Sequence, residues 1–175
     1  NWRDRGTCIL FGDGAGAAVL RSEEGTGFLP AAHSDGSRGE ALRCRSYLDG
    51  AKEWQMSHPE EYQMQMDGQA VFKFAVRQVP GVIREVLDKN GLRLEEIDWI
   101  ILHQANRRIV EAVSRHLQQP LEKFPMNMQE YGNTSSASIP ILLDEMNRDQ
   151  KLQKGQKIIL AGFGAGLTWG ASILE

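Results

Sequence analysis

The chain has 175 residues, of which 41% are hydrophobic and 25% are charged, and its formal net charge is −3. This length suits one globular core, because a domain usually takes about 100–200 residues. The weak acidity gives no general attraction to nucleic acids or anionic membranes, and no apolar run reaches the ~18–20 residues of a membrane span.

The first predicted elements are strands. Residues 7–22 predict two strands around the glycines at 12–16, and residues 27–32 predict a further strand. Residues 33–67 are polar and irregular, which indicates a long loop. Apolar side chains then follow helical spacing over 68–90, so we expect a helix that stops at Asn90 and is kinked or split by Pro80.

Strands and helices follow one another in the rest of the chain. Residues 97–102 are typical of a strand buried on both faces, and a helix with one apolar side comes after them. Residues 131–136 indicate a turn that caps a helix running to about Arg148, with Pro140 in its first turn. Residues 157–161 and 167–174 predict strands on either side of a glycine turn. This order indicates an α/β fold with layered helices.

A short repeat links the two ends of the chain. Residues 9–16 (ILFGDGAG) and 159–166 (ILAGFGAG) are identical at six of eight positions and lie 150 residues apart. Two unrelated tight hairpins, each needing glycine for positive φ, would explain it. An internal duplication with a period near 150 residues is the other interpretation. It would make 1–22 the tail of a first copy and 23–175 a nearly complete second copy.

Residues 12–17 also fit the dinucleotide fingerprint G-x-G-x-x-G/A. That fingerprint requires a helix directly after the glycines, because the helix N-terminus binds the pyrophosphate. Only a few residues separate this motif from the next glycines at 25 and 27. We therefore do not expect a nucleotide site here.

The two cysteines, Cys8 and Cys44, form no CxxC pair and no metal-ligand spacing with the four histidines. Nothing else in the sequence suggests secretion. We therefore expect free thiols in a reducing cytoplasm and no metal site.

His103 and Asn133 stand in two loops suited to chemistry. His103 directly follows a predicted strand, and Asn133 lies 30 residues later, just before a predicted helix. Sites in layered α/β folds gather where strands end and helices begin. A structural histidine and a turn-forming asparagine are the alternatives.

Several motifs together resemble one enzyme family. They are residues 4–7 (DRGT), 10–17 (LFGDGAGA), 103–106 (HQAN), 132–140 (GNTSSASIP) and 162–170 (GFGAGLTWG). In this order they resemble β-ketoacyl-acyl-carrier-protein synthase III, which starts fatty-acid synthesis, and HQAN favours this branch over chalcone-synthase-like relatives. The resemblance implies a thiolase-like α/β fold, with helices layered around a mixed five-stranded sheet as one half of a duplicated αβαβα architecture. The chain would hold the C-terminal half (23–175) and the tail of the N-terminal half (1–22).

The resemblance also implies a reaction. A cysteine of the first half takes an acyl group from acyl-CoA, with acetyl-CoA expected, and the carbanion left by decarboxylation of malonyl-acyl-carrier protein attacks it. His103 and Asn133 would donate hydrogen bonds to the developing enolate oxygen. Neither Cys8 nor Cys44 matches the nucleophile, so this chain is expected to be inactive alone. The family implies no cofactor beyond the CoA thioester substrate, a homodimer, and a cytoplasmic or plastid location.

Further residues match family positions near the substrates. Contacts with CoA or its pantetheine arm are implied for Arg5, Gly6, Gln69, Asn106 and Arg108. The acyl pocket or its loop is implied for Met66, Phe72, Phe163, Gly164, Ala165 and Gly166. Docking of the acidic carrier protein is implied for Lys73, Arg107, Arg108 and Arg115. Ordinary core packing and a solvated helix face are the alternatives for the apolar and basic residues, respectively.

Two other functions stay open. The chain could belong to a related polyketide-type condensing enzyme. It could also be a non-catalytic thiolase-like half that serves as a binding or oligomerisation module. The presence of a cysteine-bearing upstream half in the same polypeptide discriminates the second alternative from the enzymes.

Overall fold

A computed structural model describes residues 1–20, 27–44 and 56–175. Its strands are β1 (Ala31–Ser34), β2 (Leu42–Arg43), β3 (Gln65–Met66), β4 (Trp99–Leu102), β5 (Ile158–Gly164) and β6 (Thr168–Leu174). The main sheet has the order β1-β6-β5-β4, and β2 pairs with β3 in a separate small sheet. β4 and β5 are parallel, whereas β6 is antiparallel to both β5 and β1, so the main sheet is mixed.

The described α-helices are α1 (Gly68–Lys89), α2 (Arg107–Leu117), α3 (Met128–Tyr131) and α4 (Ser138–Arg148). Short 3₁₀ turns occur at Gly36–Ala41, Pro59–Tyr62, Leu94–Glu96, Leu121–Lys123 and Ser135–Ala137. Within the described residues, none of the helices combines the length and apolarity needed to cross a membrane.

Helices cover the two faces of the main sheet, as the alternation along β4 shows. Ile100 and Leu102 belong to the core beneath α1 and α2, whereas Ile101 packs with Leu142 and Met146 of α4 on the opposite face. Successive strand residues point to opposite faces, so a strand between two helical layers is apolar throughout. The predicted doubly buried strand is thereby confirmed, although it begins at Trp99 rather than at residue 97.

Pro80 was predicted to kink or split the long helix. The structure shows no break there, because α1 is one continuous helix from Gly68 to Lys89. Asp67 begins it by accepting hydrogen bonds from the backbone N–H groups of Gln69 and Ala70. A proline inside a helix costs about 3 kcal/mol. Val79 and Ile83, which flank Pro80, are fully buried, so tertiary packing holds this helix together despite the proline.

The two strands predicted within residues 7–22 are wrong in the described part of the chain. Residues 5–10 form turns and residues 12–20 have no regular secondary structure, while 21 and 22 lie outside the described residues. The hairpin interpretation of the first glycine repeat is therefore also wrong, because a single bridge joins Phe11 to Asn133 instead. The predicted strand at 27–32 is observed as β1, which begins after Pro30, a residue that has no N–H to donate to a ladder.

Three further predictions need adjustment. Within the described residues the main sheet has four strands, one fewer than the five that the family resemblance implies. The second glycine turn comes later than expected, because β5 continues through Gly164 and pairs Gly162 with Gly170. The predicted loop at 33–67 contains β2, β3 and two 3₁₀ turns, and residues 45–55 lie outside the described part. The predicted domain boundary at 22/23 also falls outside the described residues and stays a prediction.

Candidate active site

A cavity of about 770 Å³ lies where β4 and β5 end. The parallel register of these strands brings their carboxyl ends to the same edge of the sheet. His103 follows β4, Phe163 lies near the end of β5, and Asn133 enters from the loop before α4; all three line the cavity. His103, Asn133 and Phe163, which belong to three motifs far apart in the sequence, thus line the same cavity.

His103 is held in this cavity by a backbone hydrogen bond, by a hydrogen bond at one ring nitrogen and by an aromatic contact with its ring. Its N–H donates to Ala161 O at 2.9 Å, which extends the β4–β5 ladder by one step. Ring atom Nδ1 lies 2.7 Å from Ser138 Oγ, and the Phe163 ring meets the imidazole edge-to-face at 5.3 Å. Burial lowers the pKa of His103 from 6.5 to about 4, because no charge nearby compensates the cost of an imidazolium. The ring is therefore neutral at physiological pH.

Asn133 is fixed by hydrogen bonds that leave its amide donors available. Its backbone N–H donates to Leu10 O at 2.8 Å, and its carbonyl accepts from Gly12 N at 3.0 Å. Side-chain Oδ1 accepts from Ser135 N at 2.9 Å, which orients the carboxamide. Within the described contacts Nδ2 has no acceptor, so this group is what Asn133 can offer to a bound molecule.

The cavity suits an oxygen that gains negative charge. A neutral histidine and a primary amide both provide N–H donors, and donors placed in advance stabilise a developing oxyanion most effectively where water is excluded. Among the described residues that line the cavity, none is a carboxylate. An anionic intermediate would therefore meet donors and apolar walls rather than like charge.

The structure brings most of the predicted acyl-pocket residues to this cavity. Met66, Phe72, Phe163, Gly164 and Ala165 line it, and so does Asn106 from the predicted CoA-contact set. Gly166 lies just beyond Ala165 in the β5–β6 turn and does not line it. Arg5, Gly6, Gln69 and Arg108 are exposed outside its lining. None of these placements tests a role, so the roles stay predictions.

The predicted docking residues are all exposed, but their surroundings differ. Lys73 lies on α1, and Arg107, Arg108 and Arg115 lie on α2. Arg107 forms an ion pair with Glu111 at 2.8 Å, whereas the Arg108 guanidinium lies 5.7 Å from the centre of the Phe72 ring. Because Phe72 lines the cavity, Arg108 stands at its rim.

Several cavity residues were not predicted from the sequence. Ser138 lines the cavity and hydrogen-bonds the ring of His103. Gln104 does not line it, but this buried residue donates its backbone N–H to Ser138 Oγ. Cys44 also lines the cavity, and its thiol donates to Tyr62 O at 3.3 Å. Leu10, His33 and Trp169 complete other parts of the wall. Ser138 stands within the GNTSSASIP motif, so its position near Asn133 was the available signal.

Two family models match the chain. The model described as "3-Oxoacyl-[acyl-carrier-protein (ACP)] synthase III C terminal" matches residues 87–175, and "3-Oxoacyl-[acyl-carrier-protein (ACP)] synthase III" matches residues 1–36. The β-ketoacyl-[acyl-carrier-protein] synthase III of Clostridium novyi is 47% identical over all of this chain and 54% of that relative. The chain spans about half the length of the curated relatives it matches.

Solved structures show the same relationship. The 3-oxoacyl-[acyl-carrier-protein] synthase III of Aquifex aeolicus superimposes with a TM-score of 0.84 and 39% identity, over 100% of this chain and 53% of that one. The priming β-ketosynthase of the R1128 polyketide pathway gives a TM-score of 0.87 and 31% identity, over 99% and 52%. These likenesses confirm the predicted thiolase-like α/β fold.

Proposed function

The chain belongs to the 3-oxoacyl-[acyl-carrier-protein] synthase III family, and we propose that it supplies the decarboxylation site of a β-ketoacyl-acyl-carrier-protein synthase III. One observation carries this proposal. His103, neutral through burial, and Asn133, whose amide nitrogen has no acceptor among the described contacts, line the same cavity, and none of the described lining residues is a carboxylate. Two neutral donors in a largely apolar site suit an enolate oxygen.

The proposed reaction has two stages. A cysteine thiolate attacks the thioester carbonyl of acyl-CoA, forms an acyl-cysteine and releases CoA. The malonyl group on the carrier protein then loses carbon dioxide, and its carbanion attacks the acyl-cysteine carbonyl and expels the thiolate. The product is β-ketoacyl-carrier protein. No cofactor takes part beyond the CoA thioester. His103 and Asn133 stabilise the enolate oxygen between loss of carbon dioxide and attack.

We place the nucleophile outside the residues of this chain. Cys8 does not line the cavity, and the thiol of Cys44 donates to the Tyr62 carbonyl. The relatives are nearly twice as long as this chain, which supports a cysteine-bearing half in the complete protein. In this proposal the chain is inactive alone, and the complete enzyme is a homodimer in the cytoplasm or plastid stroma.

Among the four predicted docking residues, Arg108 is the one best placed to dock the acidic carrier protein. Its guanidinium covers Phe72 at the cavity rim, so an anionic partner held there would aim its pantetheine arm inward. Arg107 is partly neutralised by Glu111 and contributes less. Lys73 and Arg115 extend the positive surface on neighbouring helices.

We therefore expect Arg108→Glu in the full-length protein to raise KM for malonyl-carrier protein roughly tenfold at low salt, because charge reversal repels an acidic partner. The effect should shrink as salt rises. Steady-state kinetics at two ionic strengths checks it. Arg148→Glu is the matched control, since Arg148 is an exposed, ion-paired arginine at the far end of α4. Equal effects of the two variants would contradict specific docking.

The likeness to a priming polyketide ketosynthase keeps a second condensing function in view. Both functions use the same donors, and they differ in the acyl group that starts the chain. The residues at the pocket wall, Met66 and Phe72, would contribute to that choice.

The test is product formation by the full-length protein from acyl-CoA and malonyl-carrier protein. We expect acetyl-CoA to yield β-ketoacyl-carrier protein, and His103→Ala to lower the rate by roughly 10²- to 10³-fold because one oxyanion donor is lost. His116→Ala, which removes an exposed histidine on α2, should leave the rate unchanged. Product only from longer or branched acyl-CoA would favour the polyketide-type enzyme. Binding without product from any acyl-CoA would favour a non-catalytic module.

A further inference from the structure

Ser138 joins the two motifs that build the cavity. The residue is 2% exposed, and its Oγ lies 2.7 Å from His103 Nδ1 and 3.2 Å from Gln104 N. Ser138 is the first residue of α4, whereas His103 and Gln104 follow β4. A single hydroxyl thus connects the helix that carries the Asn133 loop with the strand end that carries the histidine.

The hydrogens in this contact can be assigned by counting donors. A backbone N–H can only donate, so Ser138 Oγ accepts from Gln104 N. The serine hydroxyl has one hydrogen left to give, and among the described contacts His103 Nδ1 is the acceptor within reach. If Ser138 donates to Nδ1, that nitrogen carries no hydrogen, and the neutral ring must carry it on Nε2.

We propose that Ser138 is a positioning residue that holds His103 as its Nε2–H tautomer and so keeps a donor directed at the reacting oxygen. The inference rests on the proposed function, because it explains how a neutral imidazole always presents a hydrogen to the enolate. Ser138 itself touches no substrate atom in this account. It acts through the ring of His103.

Gln104 fixes the geometry that the tautomer depends on. The residue is 1% exposed; its Nε2 donates to Leu102 O at 2.7 Å, and its Oε1 accepts from Asn127 N at 3.2 Å. A buried amide satisfied at both ends holds its own peptide group rigidly. The Gln104 N–H therefore stays aimed at Ser138 Oγ and occupies one of its two lone pairs, while the hydroxyl hydrogen finds its acceptor, among the described contacts, at His103 Nδ1.

The first test is the tautomer itself, read by ¹⁵N NMR of histidine-labelled full-length protein at neutral pH. The resonances of His103 are assigned by their loss in His103→Gln. We expect Nδ1 to have the shift of an unprotonated nitrogen and Nε2 that of a protonated one. In Ser138→Ala the Nε2–H tautomer should no longer be the exclusive form. A protonated Nδ1 in the unmodified protein, or an unchanged tautomer in Ser138→Ala, would overturn the assignment.

The second test is the rate of decarboxylation of malonyl-carrier protein. Ser138→Ala should lower it roughly tenfold, less than the roughly 10²- to 10³-fold loss on removing a donor outright, because the ring remains. Ser138→Thr keeps the hydroxyl and should retain most of the decarboxylation rate of the unmodified protein. Ser114→Ala is the control, since it removes another buried hydroxyl. The Ser114 hydroxyl donates to Gln119 O at a distance of 2.8 Å and does not line the cavity. Equal losses in Ser138→Ala and Ser114→Ala would reduce Ser138 to a stabilising contact and overturn the proposal.

These readouts separate the inference from the proposed function. If His103→Ala does not impair decarboxylation, the proposed function fails, whatever the tautomer. If His103→Ala impairs it but the NMR spectrum shows Nδ1–H, the function stands and the role of Ser138 is wrong.

Discussion

His103 shows how one buried side chain sets the chemistry of a site. The neighbours Ser138 and Phe163 are uncharged and do not stabilise an imidazolium that burial removes from water. Burial therefore lowers the pKa of His103 to about 4. In the unfolded chain the same group titrates near 6.5. Between these two values the unfolded state binds a proton that the folded state does not, so folding is opposed increasingly as the pH falls.

The predicted consequence is a loss of stability in mild acid that depends on this histidine. Going from pH 7.5 to pH 5, His103 should cost the full-length protein about 2 kcal/mol of unfolding free energy. Urea denaturation of the unmodified protein and of His103→Gln at both pH values measures it. The variant should lose less stability than the unmodified protein by about this amount. Identical pH dependence of the two proteins would show that His103 is not buried neutral.

At the residue scale the sequence located His103 and Asn133, because each sits where a predicted strand ends or a predicted helix begins. It did not assign a role to Ser138 or Gln104. Their importance depends on hydrogen bonds between residues 34 or 35 positions apart, and no periodicity or turn rule reports such contacts. Arg5 and Gln69 matched family positions but stay exposed outside the lining of this cavity.

Among the elements, the glycine segment at 12–16 departs most from its prediction, because it forms no strand or hairpin. A Cβ on Gly12 would lie 2.0 Å from Tyr131 O, and one on Gly14 would lie 2.9 Å from the Ile141 side chain. The backbone of this segment therefore presses directly against the loop that carries Asn133. Glycine is required there for close approach rather than for a hairpin, and the segment positions the Asn133 loop.

Gly12→Ala should accordingly destabilise the full-length protein by roughly 1–3 kcal/mol, because the added methyl group displaces the Tyr131 carbonyl. The displacement should also lower the condensation rate, since Asn133 moves with that loop. Thermal unfolding and product formation measure the two effects. Gly81→Ala is the matched control, because a Cβ there meets nothing within 4 Å and alanine favours a helix. Equal stability of the two variants would contradict the packing argument.

The long periodic elements could be predicted, since the apolar spacing of α1, α2 and α4 and the apolar run of β4 follow directly from burial against the sheet. The N-terminal segment could not. Residues 7–20 have the composition of strands, yet Leu10 and Gly12 exchange backbone hydrogen bonds with Asn133, more than 100 residues away. Tertiary contacts of this kind decide whether a β-prone sequence forms a ladder.

At the scale of the whole molecule, the fold gathers separate motifs at one cavity. The parallel pairing of β4 with β5 puts the HQAN loop beside the end of the GFGAG strand, and the bridge at Phe11 attaches the first glycine motif to the Asn133 loop. Family-level motifs predicted this convergence, because they imply a thiolase-like fold. The first copy of the repeated octet is not a hairpin in the described residues, and the internal duplication that the repeat suggested stays a prediction.

The central claim is that His103 and Asn133 serve decarboxylation rather than acyl transfer. The most direct measurement follows the two partial reactions separately in the full-length protein: release of CoA from acyl-CoA, and release of carbon dioxide from malonyl-carrier protein. His103→Ala and Asn133→Ala should each lower carbon dioxide release by roughly 10²- to 10³-fold while CoA release falls far less. Undiminished carbon dioxide release in either variant would contradict the account.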